Sequence, residues 1–168
     1  MQSQPLIDES RLTHIRELKT AVSKLKAENA RLRDENAELN AHLDFAILAA
    51  RDLETLEGDG KLVIVDGWNR ILSATRIAKS REDLVAQAEE HLAAHPQDLV
   101  WIVYDGPRAS TTVNGRLRVS YTGGAGEHRA DKFICDFLRM AKFRGTTARI
   151  EVKTDDKDFL KDIKRISA

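Results

Sequence analysis

Three apolar stretches of this 168-residue chain run directly into acids, and that placement is its clearest chemical signal. Val63-Ile64-Val65 leads to Asp66, Ile102-Val103-Tyr104 leads to Asp105, and the segment ending at Lys153 leads to Asp155, Asp156 and Asp158. A fourth position, Asp131, comes soon after the loop Gly123-Gly124-Ala125-Gly126. If the apolar stretches are parallel strands, the acids leave the sheet at its carboxyl edge, where open α/β sheets bind their ligands. Carboxylates gathered in one place repel one another until a cation neutralises them, and an all-oxygen donor set suits Mg²⁺ or Mn²⁺. The chemistry such a group supports is phosphoryl transfer. Each acid also has a plainer reading as the cap of the helix that follows, and this applies most to Asp105 and Asp155.

The pattern around these acids supplies the strands. Lys61 to Val65 and Leu99 to Tyr104 are continuous apolar runs bounded by turn residues, as expected of strands buried on both faces. Helical patterns cover about Trp68 to Ala78, Arg81 to Ala94, Ala130 to Arg144 and Asp156 to Arg165, and a further strand is expected over Ala148 to Lys153. Asn114-Gly115 between Val113 and Leu117 signals a hairpin. Alternating strands and helices predict an α/β domain with a mainly parallel sheet covered on both faces, over residues 58–168.

Residues 1–57 read differently. From Leu12 to Leu56 there is neither proline nor glycine, and Leu18, Leu25, Leu32, Leu39, Ala46 and Leu53 recur every seventh residue. Ile15, Val22, Leu43 and Ala50 hold the companion position, together with Asn29 and Asn36. β-Branched residues at a with leucine at d favour two parallel strands, and a buried asparagine pairs with its twin only when the chains are parallel and in register. Glu28 at g is spaced to meet Arg33 at e of a second chain. The expectation is a long N-terminal helix that forms a homodimer through a parallel coiled coil. The segment before the heptads is not a basic helix, which excludes a leucine-zipper DNA-binding protein.

Val63-Ile64-Val65-Asp66-Gly67-Trp68-Asn69 resembles the "(V/I)DGYN" opening of NYN domains of the PIN-like nuclease superfamily, in particular the YacP-like branch. Ile102-Val103-Tyr104-Asp105-Gly106 is similar to that branch's second strand. Tyr121-Thr122 through Gly126-Glu127 to Ala130-Asp131 is similar to its "T-G-x-G-E-x-AD" loop. Lys153-Thr154-Asp155-Asp156-Lys157-Asp158-Phe159 is similar to the superfamily's "(S/T)-x-D-x-D-(F/L)" element. These motifs stand in the family's order over residues 61–160. The resemblance implies a metal-dependent ribonuclease in which Asp66, Asp131 and Asp156 are the catalytic metal ligands and Asp158 a further ligand. Asn69 would orient Asp66 or water, and Asp105 would support the site. Where the branch usually carries a glutamate, four residues after Asp131, this chain has Cys135.

Charge neither demands nor excludes an anionic partner: Lys+Arg and Asp+Glu are 27 each, and the excess of basic residues lies in the second part of the chain. Arg116, Arg118, Arg129, Lys132, Lys153 and Lys157 are candidates for contacts to RNA phosphates, with single-stranded RNA the expected substrate because a flexible backbone enters an edge cleft most easily. One cysteine can form neither an internal disulfide nor a thiolate zinc site. Gly123 to Gly126 lacks the Gly-Lys-Ser/Thr ending of a nucleotide-binding P-loop. No apolar run approaches the roughly 20 residues of a membrane span, and the first residues lack the order of a secretory signal, so a soluble cytoplasmic protein is expected. Two other readings compete with the nuclease. One is a non-catalytic RNA- or protein-binding adaptor on a degenerate nuclease fold, favoured by Cys135. The other is a phosphatase-like hydrolase with Asp66 as nucleophile, weakened by Trp68 where such sites carry a second acid.

Overall fold

The computed structural model describes residues 9–56, 58–73, 77–124 and 128–167. Outside them lie the chain start, residues 74–76 and Gly126-Glu127 of the expected loop motif; the helix expected over Trp68 to Ala78 ends at Leu72, and Ile77 and Ala78 are not helical. The chain forms two compact units, one ending at Asn36 and one beginning at Ala37. Helix α1 spans Glu9–Thr55. In its first unit the heptad side chains Ile15, Leu18, Val22, Leu25 and Leu32 are all exposed. Arg31 bridges Glu28 at 2.6 Å and Glu35 at 2.8 Å, so the acid expected to reach Arg33 of a second chain has a partner within its own helix.

The second unit is α/β. Its strands are β1 (Leu62–Asp66), β2 (Leu99–Tyr104), β3 (Ala109–Asn114), β4 (Leu117–Thr122) and β5 (Ile150–Lys153), and its further helices are α2 (Gly67–Leu72), α3 (Arg81–Ala94), α4 (Arg129–Phe143) and α5 (Lys157–Ser167). The sheet order is β3-β4-β2-β1-β5. β1 pairs in parallel with β2 and β5, and β2 in parallel with β4. Only β3 is antiparallel, as the second arm of the hairpin with β4. The hairpin closes through Gly115 at φ 58°, a backbone region that a β-carbon disfavours.

β1 and β2 are buried along their whole length, and their alternate residues feed two cores. Leu62, Ile64, Leu99, Trp101 and Val103 pack with Phe133, Ile134, Phe137 and Leu138 of α4 and Phe159 of α5. Val63, Val65, Val100, Ile102 and Tyr104 pack with Leu84 and Ala88 of α3. A sheet buried on both sides needs apolar residues at every position, which is why these strands read as continuous runs rather than alternating ones.

The second compact unit begins at Ala37, so the last turns of α1 belong to the same unit as the sheet. Leu53 and Leu56 are buried in the α4 side of the core, so Leu53 serves this domain rather than a seam between chains. The side chain of Ala46, another heptad position, lies outside the described residues. Asp52, 5% exposed, takes both donors of an ion pair with Arg118 of β4. Arg118 is therefore not available to RNA, and its expected phosphate contact is corrected: the side chain neutralises a buried carboxylate. Arg149 fixes the chain leaving α1 by donating to the carbonyls of Leu56, Gly58 and Gly60 at 3.0–3.1 Å.

Candidate functional site

Parallel pairing places the ends of β1, β2 and β5 at one edge, and the acids follow from there. Asp66 is the last residue of β1 and the N-cap of α2, with Oδ1 accepting the Asn69 backbone N–H at 3.3 Å. Its other oxygen, Oδ2, accepts the Thr154 hydroxyl at 3.0 Å. Thr154 follows β5, so this bond ties two strand ends together beneath the edge. The Asn69 side chain reaches the end of β5: its Oδ1 accepts the Asp155 backbone N–H at 2.7 Å, while Asp155 itself is held by Arg70 and Ser73. Asn69 and Asp155 are thus braces between the first and last strand ends.

Asp66 is only 6% exposed, and burial, followed by the nearby Asp131 charge, pushes its carboxyl up to about 6. Asp131, in the first turn of α4, is also raised by burial, and Asp156 and Asp105 act on it in the same direction. A hydrogen bond from His128, with Nδ1 3.2 Å from Asp131 Oδ2, works against that rise. The charges of Asp131 and Asp105 act on Asp66, and those of Asp156 and Asp105 act on Asp131, so these acids are neighbours at the carboxyl edge, although no three of them bring their oxygens within 4.8 Å of one another. His128 has φ 59°, left-handed and unusual for a residue with a β-carbon, and strain of this kind collects at functional sites.

The four acids are not equivalent. Asp105 accepts the Ala130 backbone N–H and so sets the start of α4, which makes it a positioning group for Asp131. Asp156 accepts the backbone N–H groups of Asp158 and Phe159 through Oδ1 alone. Asp158 is 89% exposed and pairs with Lys161 at 2.7 Å, at the outer side of the same edge. Asp131, Asp156 and Asp158 line an open groove of about 410 Å³ that continues between α4 and α5, with Lys132 and the buried Cys135 also in its wall. Burial also pushes the Cys135 thiol up, away from nucleophile chemistry.

The basic candidates separate by position. Lys132 and Lys157 are exposed beside these acids, at the starts of α4 and α5. Arg129, adjoining Asp131's turn, lies with its guanidinium against Gly124. Arg116 sits in the β3–β4 turn at the opposite edge of the sheet, bonded to the Gln97 carbonyl at 2.9 Å, and does not meet the acids. Lys153 lies beside Glu151 and lines a pocket on the α3 face, again away from the groove. Sequence reasoning missed the Thr154 hydroxyl and the His128 contact; the strand end preceding Asp155 and the i, i+3 spacing to Asp131 were the available signals.

Tyr104 closes the edge from below, 5.2 Å from Trp68 and 5.3 Å from Tyr121 between ring centroids. Trp68 is half-buried and donates to the Asp105 carbonyl at 2.8 Å. A β-carbon at Gly67 would overlap the Tyr104 ring, which is itself fixed by these neighbours. Gly67→Ala is therefore expected to destabilise the domain by about 1–3 kcal/mol, the usual cost of overpacking, measured by urea denaturation.

No family model, curated protein or solved structure matches this chain. Among the described residues no helix is long and apolar enough to cross a membrane.

Proposed function

We propose that residues 37–168 form an NYN/PIN-like, metal-dependent ribonuclease that hydrolyses phosphodiester bonds of single-stranded RNA in the cytoplasm, and that the N-terminal helix dimerises it as a parallel coiled coil. The observation that carries the reading is the carboxyl edge, where the carboxyls of the buried Asp66 and the half-buried Asp131 are each raised chiefly by burial and further by a neighbouring acid, Asp131 acting on Asp66 and Asp156 on Asp131. Desolvated carboxyls raised further by a neighbouring acid gain nothing structurally from that neighbour, whereas a hard dication with oxygen ligands would relieve the repulsion. Mg²⁺ or Mn²⁺ held by these three would supply activation of water and neutralisation of charge on the phosphate.

The residues of the chain divide the remaining work. Thr154 and the Asn69 N–H hold both oxygens of Asp66, which fixes the carboxylate before substrate arrives. Asp105 anchors the start of α4 and so sets the position of Asp131. Lys132 and Lys157 flank the groove as phosphate contacts, and the half-exposed Trp68 ring, with Arg81 5.8 Å from its centroid, offers a stacking surface for a base. The test is cleavage of end-labelled single-stranded RNA in Mn²⁺ and in Mg²⁺. Activity that vanishes with a chelator and returns with metal supports the reading, and metal-independent cleavage sinks it.

A non-catalytic RNA- or protein-binding adaptor is the second reading, favoured by one observation: Cys135 lies in the wall of the groove where the resembling branch carries an acid. Gain of cleavage in Cys135→Glu from an inactive wild type would identify a degenerate nuclease.

The exposed row on α1 supports the dimer. A helix that leaves Ile15, Leu18, Val22, Leu25 and Leu32 open to water is completed by a second apolar seam. Light scattering at micromolar concentration is expected to give twice the chain mass, and Leu18→Glu with Leu25→Glu is expected to return one chain mass. A monomeric wild type, or crosslinks showing antiparallel chains, contradicts the role given to Asn29 and Asn36.

A further inference from the structure

A second set of ligand-bearing side chains converges at the other edge of the sheet, unconnected with the acids. His91 occupies the last turn of α3, His95 is its C-cap, and Asp98 immediately precedes β2. One ligand atom from each lies within 4.8 Å of the other two, and among the described residues no other group of three histidine, cysteine or acidic side chains does so. His91 Nε2 is 3.0 Å from Asp98 Oδ2, and the two imidazoles are stacked with centroids 4.5 Å apart.

Two outer contacts make this more than a hydrogen-bonded cluster. Asp98 is 5% exposed, and its Oδ1 accepts the Lys61 backbone N–H at 2.9 Å, which leaves Oδ2 directed at the histidines. His95 Nδ1 lies 3.2 Å from the His91 carbonyl oxygen. A carbonyl only accepts, so Nδ1 carries the hydrogen and Nε2 keeps its lone pair for a ligand. Histidines that bind metals are held in this way, with the second nitrogen donating to a carbonyl.

We propose that His91, His95 and Asp98 form a binding site for a borderline transition dication, Zn²⁺ in the first instance, that is separate from the acid edge. Two imidazole nitrogens and one carboxylate make a donor set suited to Zn²⁺ and poorly suited to Mg²⁺. Tetrahedral coordination at bonds of about 2.0–2.1 Å would need the ligand atoms to draw together, and His95, exposed at the helix end, is the residue with room to turn. The proton on His91 Nε2 relocates through solvent to Nδ1, so the ring remains neutral and no redox partner is needed. Bound metal would fasten the end of α3 to the start of β2 and, through Lys61, to the segment leading into β1.

The test uses the full chain and Co²⁺ as a spectroscopic substitute for Zn²⁺. Wild type and Asp156→Asn are both expected to show visible ligand-field bands that Zn²⁺ displaces, and a higher melting temperature with Zn²⁺. His95→Ala, at an exposed position, is expected to keep the metal-free melting temperature and to bind at least about 100-fold more weakly. His91→Gln keeps a donor for Asp98 and so separates the hydrogen bond from the metal; it too is expected to lose the bands. Absence of bands in wild type, bands retained in both histidine variants, or bands lost in Asp156→Asn would each overturn the site. Only the last would place the ion at the proposed nuclease centre.

Discussion

Asp66→Asn is expected to make the metal-free domain more stable at neutral pH while removing its chemistry. The carboxyl of Asp66 rises from an ordinary 3.8 to about 6 on folding, chiefly through burial and then through Asp131. An acid raised in the folded state takes up protons on folding, so stability falls as pH rises from about 4 to about 6 and the whole penalty is present above that window. The penalty is on the order of 3 kcal/mol at pH 7. An asparagine carries no charge to desolvate and can still accept from the Asn69 N–H, so urea denaturation in chelator should show Asp66→Asn gaining about 1–3 kcal/mol at pH 7.5. At pH 4, where wild type is protonated too, the gain should shrink towards zero. A loss of stability at pH 7.5 would mean that the hydrogen bond with Thr154 outweighs the buried charge.

Asp52→Ala is expected to be the most damaging single change outside the sheet's apolar core. It would leave Arg118 buried beneath α1 with no carboxylate, and breaking a buried pair from one side costs about 3–5 kcal/mol. The same contact sets where the chain can be shortened. Removing residues 1–36 should leave a cooperatively folding monomer, whereas removing residues 1–57 also takes away Asp52, Leu53 and Leu56 and should leave the domain unfolded or aggregated. Thermal melts of the two truncations decide this. Cooperative melting of the shorter chain would mean that the end of α1 is an accessory to the fold.

The end of α1 shows what heptad spacing leaves open. Leu53 continues the heptad of Leu18, Leu25, Leu32 and Leu39, and a seam between chains and a stripe against one's own sheet share a period, so spacing cannot tell them apart. Only its tertiary partners distinguish Leu53, and its neighbour Asp52 meets an arginine 66 positions away. Arg118 was misread for the same reason: charge near a strand end reads as surface until its partner is found. β1, β2 and the Asn114-Gly115 hairpin were legible because two-sided burial and turn chemistry are written in consecutive residues. The acid edge was legible through topology, since parallel strands must send Asp66, Asp105 and Asp156 to one side. The division of labour there was not. That Asn69 braces Asp155, or that Asp158 turns to Lys161, depends on side-chain directions that spacing leaves open.

The central claim is that Asp66, Asp131 and Asp156 act together on an RNA phosphate. It is tested most directly by the single-turnover rate of labelled single-stranded RNA cleavage in Mn²⁺, measured for wild type and for each acid replaced by asparagine. The account predicts metal-dependent cleavage by wild type and a loss of at least about 100-fold in every variant, with all four proteins folded. Cleavage by Asp66→Asn and Asp156→Asn at the wild-type rate would contradict it.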